Sequence, residues 1–227
     1  MHPDLKYQIA IGLIPGIGCV TAKKIIAYLG SVEAVFREKK QTLLKIPGVG
    51  EILAEKINIS KPLQRAEEEI EFLTKYNIQT LFYLDESYPQ KLALCEDSPL
   101  LLYSKGHFDY NKYFTLAIVG TRNATPYGKH FCDYFIHEIK ERNYPVCIVS
   151  GLAYGIDIQA HASSIKNNVP TVAVLAHGLD TIYPSAHKNT AKKMMENGAI
   201  VTEFMSQTIP DKPNFVKRNR IDRKSVV

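Results

Sequence analysis

The chain has 227 residues, 45% hydrophobic and 22% charged, with a net charge of +5. That composition is enough to bury at least one core, in one large domain or two smaller ones. No run approaches the ~18 uninterrupted apolar residues of a membrane span, and the opening MHPDLKYQIAIGL lacks the basic start and long apolar centre of a signal peptide, so no membrane association and a cytoplasmic location are expected.

The first elements form a repeat. LIPGIGCVTAKKII (Leu13 to Ile26) and LKIPGVGEILAEKI (Leu44 to Ile57) share an apolar residue, Pro-Gly, an apolar residue, Gly and an amphipathic helix, with their glycines 32 residues apart. The pattern predicts a small all-α, SAM-like helix-hairpin-helix domain over residues 1–60. In such a turn, backbone N–H groups at a helix N-terminus can receive a phosphate oxygen. Many such modules only pack against their own protein, so DNA contact and a purely structural role both stand at this point. If one hairpin touches DNA it is the first: Lys23 and Lys24 follow Gly16 and Gly18 there, whereas Glu51 and Glu55 follow the second and repel an anion.

A charged helix pattern follows, QRAEEEIEFLTKY, then the short apolar run TLFYL. The segment DESYPQKLALCEDSPLLLYSKG is turn-rich, and Pro89 and Pro99 limit any regular element. Its apolar content marks it as an extension of the next domain rather than a tether.

The second half alternates apolar runs with helical stretches. FTLAIVG, PVCIVSG, PTVAVLA and AIVTEF are β-rich, which predicts an α/β domain over residues 61–227 with a mostly parallel sheet and helices on both faces. Ligands of such sheets lie beyond the C-terminal strand ends. A dinucleotide-binding enzyme is disfavoured there, because GTRNATPYG replaces GxGxxG and the second strand ends on Ile148-Val149-Ser150 without a ribose-binding acid. No P-loop occurs. The cysteines, Cys19, Cys95, Cys132 and Cys147, have no CxxC pair or His partners at ligand spacing, so neither disulfides nor a metal site are expected. No cofactor is implied. His161 has no nucleophile at a readable spacing, so no catalytic residue is expected.

Charge is concentrated at the end of the chain. Residues 209–227 hold six Lys or Arg against two Asp, a net of +4, which is most of the chain's excess. A run such as VKRNRIDRK suits sequence-independent phosphate contact.

IVGTR, YG, VSGLAYGID, AH, TVAVL, HGLD, YP, TE and F followed by RNRI stand in the order found in the DNA-processing protein A family (DprA, also called Smf). Upstream, YPQKL, SPLLLY, Gly106 and the helix-hairpin-helix region are also similar to that family. The resemblance implies an extended Rossmann domain with a basic pocket for single-stranded DNA, usually dimeric. It also implies a protein of natural transformation and recombination that protects incoming strands and loads the RecA recombinase. No chemistry on the DNA is implied.

Against that resemblance, the candidate DNA contacts are Gly120, Thr121 and Arg122 after the first of these strands, Ser150 and Gly151 after the second, and Lys212, Phe215, Arg218, Asn219 and Arg220 after the fourth. Gly16, Gly18, Lys23 and Lys24 are secondary candidates. A guanidinium at Arg122 can fork two phosphate oxygens; the alternative is an ion pair with an acid such as Asp157. Gly151 and Gly155 let backbone approach a ligand, and the helix starting near Ile156 offers N–H groups, although Asp157 competes for its dipole and is better read as a loop brace. In the family's pattern, Lys212 matches a phosphate-contacting lysine and Phe215 a residue lining a base pocket; a core anchor is the alternative for Phe215. Arg218, Asn219 and Arg220 fit a structural turn equally well.

Val216 stands where the family usually has Pro, and His187 where Asn is common. After RNRI the family continues with IAGLS-like residues and further strands, whereas this chain reads DRKSVV, so the final sheet strands are expected to be missing. Two other classes remain compatible with the residues. One is an enzyme acting on a nucleotide or nucleoside phosphate in the same crevice, and the other a scaffold recruiting recombination proteins.

Overall fold

The computed structural model describes residues 3–57 and 61–224. The ending Ser225 to Val227 lies outside the described residues. The chain divides into two compact units, one running to Ile78 and including Glu96–Leu101, the other formed by Gln79–Cys95 and the chain from Leu102 onward. The expected division at residue 60 falls among residues outside the description, and the helices on both sides of it belong to the first unit.

The first unit is helical: α1 (Leu5–Gly12), α2 (Cys19–Leu29), α3 (Ala34–Arg37), α4 (Lys40–Leu43), α5 (Glu51–Ile57) and α6 (Lys61–Lys75). The two Pro-Gly-apolar-Gly repeats are the turns between α1 and α2 and between α4 and α5. Gly16 (φ 92°) and Gly48 (φ 87°) take the left-handed conformation that each turn requires. α6 packs along α1, which is why the compact unit continues to Ile78. Ile9, Ile25, Val35, Leu43, Ile57 and Leu73 are all buried.

The second unit is an α/β sheet: β1 (Gln79–Phe82), α7 (Gln90–Ala93), β2 (Leu101–Lys105), β3 (Phe114–Ala117), α8 (Pro126–Glu141), β4 (Val146–Ser150), α9 (Ile156–Lys166), β5 (Thr171–Val174), a 3-10 turn (Ser185–His187), α10 (Lys188–Met194), β6 (Gly198–Thr202) and α11 (Lys212–Lys224). The sheet order is β1-β2-β6-β5-β4-β3. β3, β4, β5 and β6 are parallel neighbours, and β2 joins β6 antiparallel. The mostly parallel α/β sheet expected from the alternating runs is therefore present.

Two short elements form in the turn-rich 85–106 segment, between the limits that Pro89 and Pro99 set: α7 follows Pro89 directly, and Leu101–Lys105 is an interior strand. Pro99 lies just outside β2, where a missing N–H costs the ladder nothing.

Period-2 alternation distributes the side chains. Cys147, Val149, Val172, Val174, Ala199 and Val201 face the side covered by Leu92 of α7 and Ile221 of α11. Ile148, Ala173 and Ile200 face α8, α9 and α10. The strands step in one direction, so right-handed crossovers place these three helices on one face. α8 starts at an N-cap threonine, whose Thr125 Oγ1 accepts from Gly128 N at 3.1 Å, with Pro126 in the first turn. All four cysteines are free thiols, and burial pushes Cys132 up to about 11. No helix among the described residues is long and apolar enough to cross a membrane.

Candidate nucleic-acid interface

Because β3 to β6 are parallel, their C-terminal ends and following loops gather along one edge of the sheet. The loop after β3 carries Gly120, Thr121 and Arg122, all exposed. Among the described residues, neither Arg122 nor Lys212 is in a salt bridge. The Arg122 guanidinium lies 5.8 Å from the centre of the Phe215 ring, a cation–π arrangement that leaves its N–H edge available. The ion pair with Asp157 considered for Arg122 is not formed: Asp157 is buried and accepts from Gly151 N at 3.2 Å.

The turn after β4 is built differently from the expectation. Gly151 is buried and its N–H goes to Asp157 instead of a ligand. A Cβ on Gly151 would come within 1.9 Å of Arg218 Nη1, so the missing side chain makes room for a guanidinium. A Cβ on Gly155 (φ +83°) would meet Thr121 O at 2.0 Å and Arg122 O at 2.6 Å. The glycine that seemed to admit a ligand therefore admits the backbone of the Arg122 loop, which is also held by Ile156 N donating to Thr121 O at 3.2 Å. Ser150 is buried too, with its hydroxyl donating to Ile118 O at 2.6 Å, tying β4 to the chain leaving β3.

Asp157 is thus the loop brace, as its place in the first helical turn suggests. Burial raises its pKa above the usual carboxylate range, opposed by the charge of Arg218 and by backbone hydrogen bonds from Ala153, Gly151 and Gly120. Arg218 is itself buried, with Nη1 donating to Val174 O at 3.1 Å. It is a bracket between α11 and the strand ends, not a surface contact. Arg220 is likewise engaged with the carboxylate of Glu203, whose side chain is 5% exposed, and Lys217 approaches the same carboxylate at 3.3 Å. Asn219 is half-buried. α11 turns Arg218 inward because that side of the helix meets the end of β5 and the turn of Gly151.

Lys212 and Phe215 are the two candidates of α11 that reach the outer side. Asp211 precedes the helix, its Oδ1 accepting from Asn214 N at 2.9 Å as an N-cap does. Lys212 is exposed in the first turn, and Phe215, three residues on, shares its side of the helix. Tyr183 was not among the expected residues, yet its ring lies 6.2 Å from Phe215 and is 50% exposed. Tyr154 was also missed; its ring meets His187 edge-on at 4.9 Å. Aromatics inside loops that follow parallel strands were the signal for both.

In the helix-hairpin-helix unit, Gly16, Gly18 and Lys24 are exposed. Lys23 instead donates to Ser98 Oγ at 2.6 Å and Glu96 O at 3.2 Å, so it is committed within its own unit. In the second hairpin, Glu55 pairs with Lys40 at 2.6 Å.

His161 is fully buried against Thr171 Oγ1 at 2.7 Å. Burial, with His187 and Arg218 nearby, lowers its pKa to about 3. The folded protein keeps it neutral while the unfolded chain protonates near pH 6.5, so its stability contribution is present above that value and lost as the pH falls towards 3. Across that window the urea midpoint should drop, with this one group contributing up to about 1.4 kcal/mol per pH unit, and His161→Asn should flatten the dependence. Among the described residues, no group of three or more His, Cys, Asp or Glu is placed to hold a metal ion.

Fold and site define a Rossmann-like α/β protein with an exposed basic and aromatic strand-end surface, carrying a helix-hairpin-helix unit in the same chain. Residues 79–222 match the family model described as DNA recombination-mediator protein A, and residues 11–58 match the SAM-like helix-hairpin-helix tandem. The chain belongs to the DNA recombination-mediator protein A (DprA/Smf) family. It is 31% identical to Protein Smf of Synechocystis over 97% of this chain and 56% of that protein, and 38% identical to DNA processing protein DprA of Bacillus subtilis over 63% and 48%. It thus spans about half the length of the curated relatives it matches. The crystal structure of DNA processing protein A from Streptococcus pneumoniae superposes with a TM-score of 0.72 at 28% identity, covering 97% of this chain and 75% of that one. A structure of DNA processing protein A from Helicobacter pylori, concerned with its single-stranded DNA binding mode, gives a TM-score of 0.58 at 29% identity over 66% of each chain.

Proposed function

We propose that this chain binds single-stranded DNA, independently of sequence, across the C-terminal strand ends, in the service of natural transformation and recombination. The supporting observation is the exposed Arg122 guanidinium resting on Phe215, with Lys212 one turn away on the same helix. A cation for phosphate beside a ring for a base is the combination that nonspecific single-strand binding uses. The Helicobacter pylori relative, whose structure concerns single-stranded DNA binding, is consistent with that reading.

In this account Gly120, Thr121, Arg122, Lys212 and Phe215 face the strand. Ser150, Gly151, Arg218 and Arg220 hold the loops that present them, with Asn219 beside them. Lys24 and the turn of Gly16 and Gly18 form a secondary contact. The protein acts by binding rather than by chemistry, in the cytoplasm, as a homodimer that hands the strand to RecA.

Fluorescence anisotropy with labelled oligo-dT and a matched duplex, titrated over salt, tests this. Single strands should bind preferentially, because paired bases cannot reach the ring. Arg122→Ala should weaken binding and reduce the log-log salt slope by about 0.7, one phosphate contact on a single strand. Its stability should stay within about 0.5 kcal/mol of wild type, as for a surface substitution. Binding of neither DNA, together with a thermal shift caused by nucleotides, would overturn the proposal in favour of a nucleotide-acting enzyme.

A further inference from the structure

Tyr183 stands beside Phe215 on this surface without a role so far. It follows β5 in the loop HGLDTIYP, on a different segment from Arg122 and from Phe215. Its main chain is anchored: Tyr183 N donates to His177 Nε2 at 3.3 Å, and the other ring nitrogen of the buried His177 lies 2.8 Å from Gly178 O. A carbonyl only accepts, so His177 carries its proton on Nδ1, leaving Nε2 as the acceptor for Tyr183 N. The loop is braced further by Gly178 N donating to Thr208 O at 3.1 Å and Gln207 N donating to Asp180 Oδ1 at 3.0 Å. A rigid support thus carries a ring that is half exposed.

That ring is 6.2 Å from Phe215 with the two planes inclined at 57°, while the Arg122 guanidinium lies 5.8 Å from the Phe215 centroid. The three groups come from the loops after β3 and β5 and from α11, so only the folded sheet brings them together. An aromatic kept solely for the core is covered; this one keeps half its surface in water at the edge of a cationic site.

We infer that Tyr183 is a second base-stacking position, extending Phe215 into a two-ring platform on which a nucleobase of the bound strand, or successive bases, rest beside Arg122. The inference rests on the single-strand reading above and adds to it a specific residue. Its ligand is the π-face of a nucleobase, which every base has, so the platform supplies affinity without sequence choice. The phenol hydroxyl is incidental to this role, and the flat ring is what matters.

The test compares wild type, Tyr183→Phe, Tyr183→Leu and Arg122→Ala by anisotropy, using oligo-dT and an abasic oligonucleotide of the same length and charge. Tyr183→Leu keeps an apolar contact with Phe215 but removes the flat face, and circular dichroism with thermal unfolding checks that it folds as wild type does. The expected results are a loss of about 5- to 150-fold for oligo-dT, the range for one stacked base, an unchanged salt slope because no phosphate contact is removed, and no change for the abasic strand. Tyr183→Phe should bind as wild type. If Tyr183→Leu binds oligo-dT normally while Arg122→Ala is weakened, the platform is wrong and the single-strand reading survives. An equal loss on abasic and normal strands also overturns it, since the ring would then be acting through loop structure. If wild type binds no single strand, both fall together.

Discussion

Gly155→Ala is expected to lower the stability of the second unit by roughly 2 to 6 kcal/mol. The backbone at Gly155 has φ +83° and ψ −123°, a region that L side chains scarcely populate, at a cost of about 1–3 kcal/mol. The added methyl would also stand 2.0 Å from Thr121 O, and relieving that contact means moving main chain rather than a flexible side-chain tip. Overpacking of this kind costs a further ~1–3 kcal/mol. Thermal or urea unfolding measures the effect. Gly128→Ala is the control: its Cβ would meet Ile156 Cδ1 and Thr125 Oγ1 at 3.4 Å, an ordinary contact at the start of α8, and alanine favours a helix. That variant should be near neutral. A Gly155→Ala protein as stable as wild type would show that the two loops are not locked together. Since the Arg122 loop is the one displaced, the residual fold should also bind single strands more weakly.

Arg218→Met is the second large effect, and it separates bracket from contact. Arg218 and Asp157 are both buried, and the arginine's charge is a cause that favours the ionised carboxylate. Removing Arg218 takes away the nearby charge that offsets the burial of Asp157 and the donor to Val174 O, at a cost of about 1–3 kcal/mol for buried polar groups left uncompensated. The pH dependence follows from the direction of the Asp157 shift. Its folded pKa is raised, so protonation favours the folded state. Its penalty is absent below the ordinary value of 3.8 and grows as pH rises through the folded value. Without Arg218 the folded pKa moves higher, and the variant should lose stability more steeply with rising pH than wild type does. Asp157→Asn in the same chain should restore much of the loss by removing the charge. A direct DNA-contact role predicts the opposite pattern: weaker binding, a lower salt slope and unchanged stability, as expected for Arg122→Ala.

Much of the architecture was legible in local pattern. The Pro-Gly-apolar-Gly repeats announced both hairpins, because a left-handed glycine followed by a helix start is a purely local requirement. The runs that became β4 to β6 were readable because parallel strands buried on both faces are continuously apolar, whereas β3, a partly exposed edge strand, was readable from its β-rich run alone. β2 was missed although Leu100, Leu101, Leu102 and Tyr103 form an apolar run, because the flanking prolines suggested turns. The site was legible by loop but not by atom. Arg122, Lys212 and Phe215 were placed on the strand-end surface, whereas Ser150, Gly151, Arg218 and Arg220 lie beneath or within it.

The sequence by itself determined the two kinds of unit, the parallel sheet and the edge where its loops collect, since these depend on periodicity and turn chemistry within a few residues. Only the tertiary structure decided which charges reach water. Arg122 and Arg218 are the same residue type in the same basic neighbourhood; one sits on a phenylalanine in solvent, the other fills the space left by a glycine 67 residues earlier in the chain. Nothing local distinguishes them, because burial of a cation is set by what α11 meets when it crosses the strand ends.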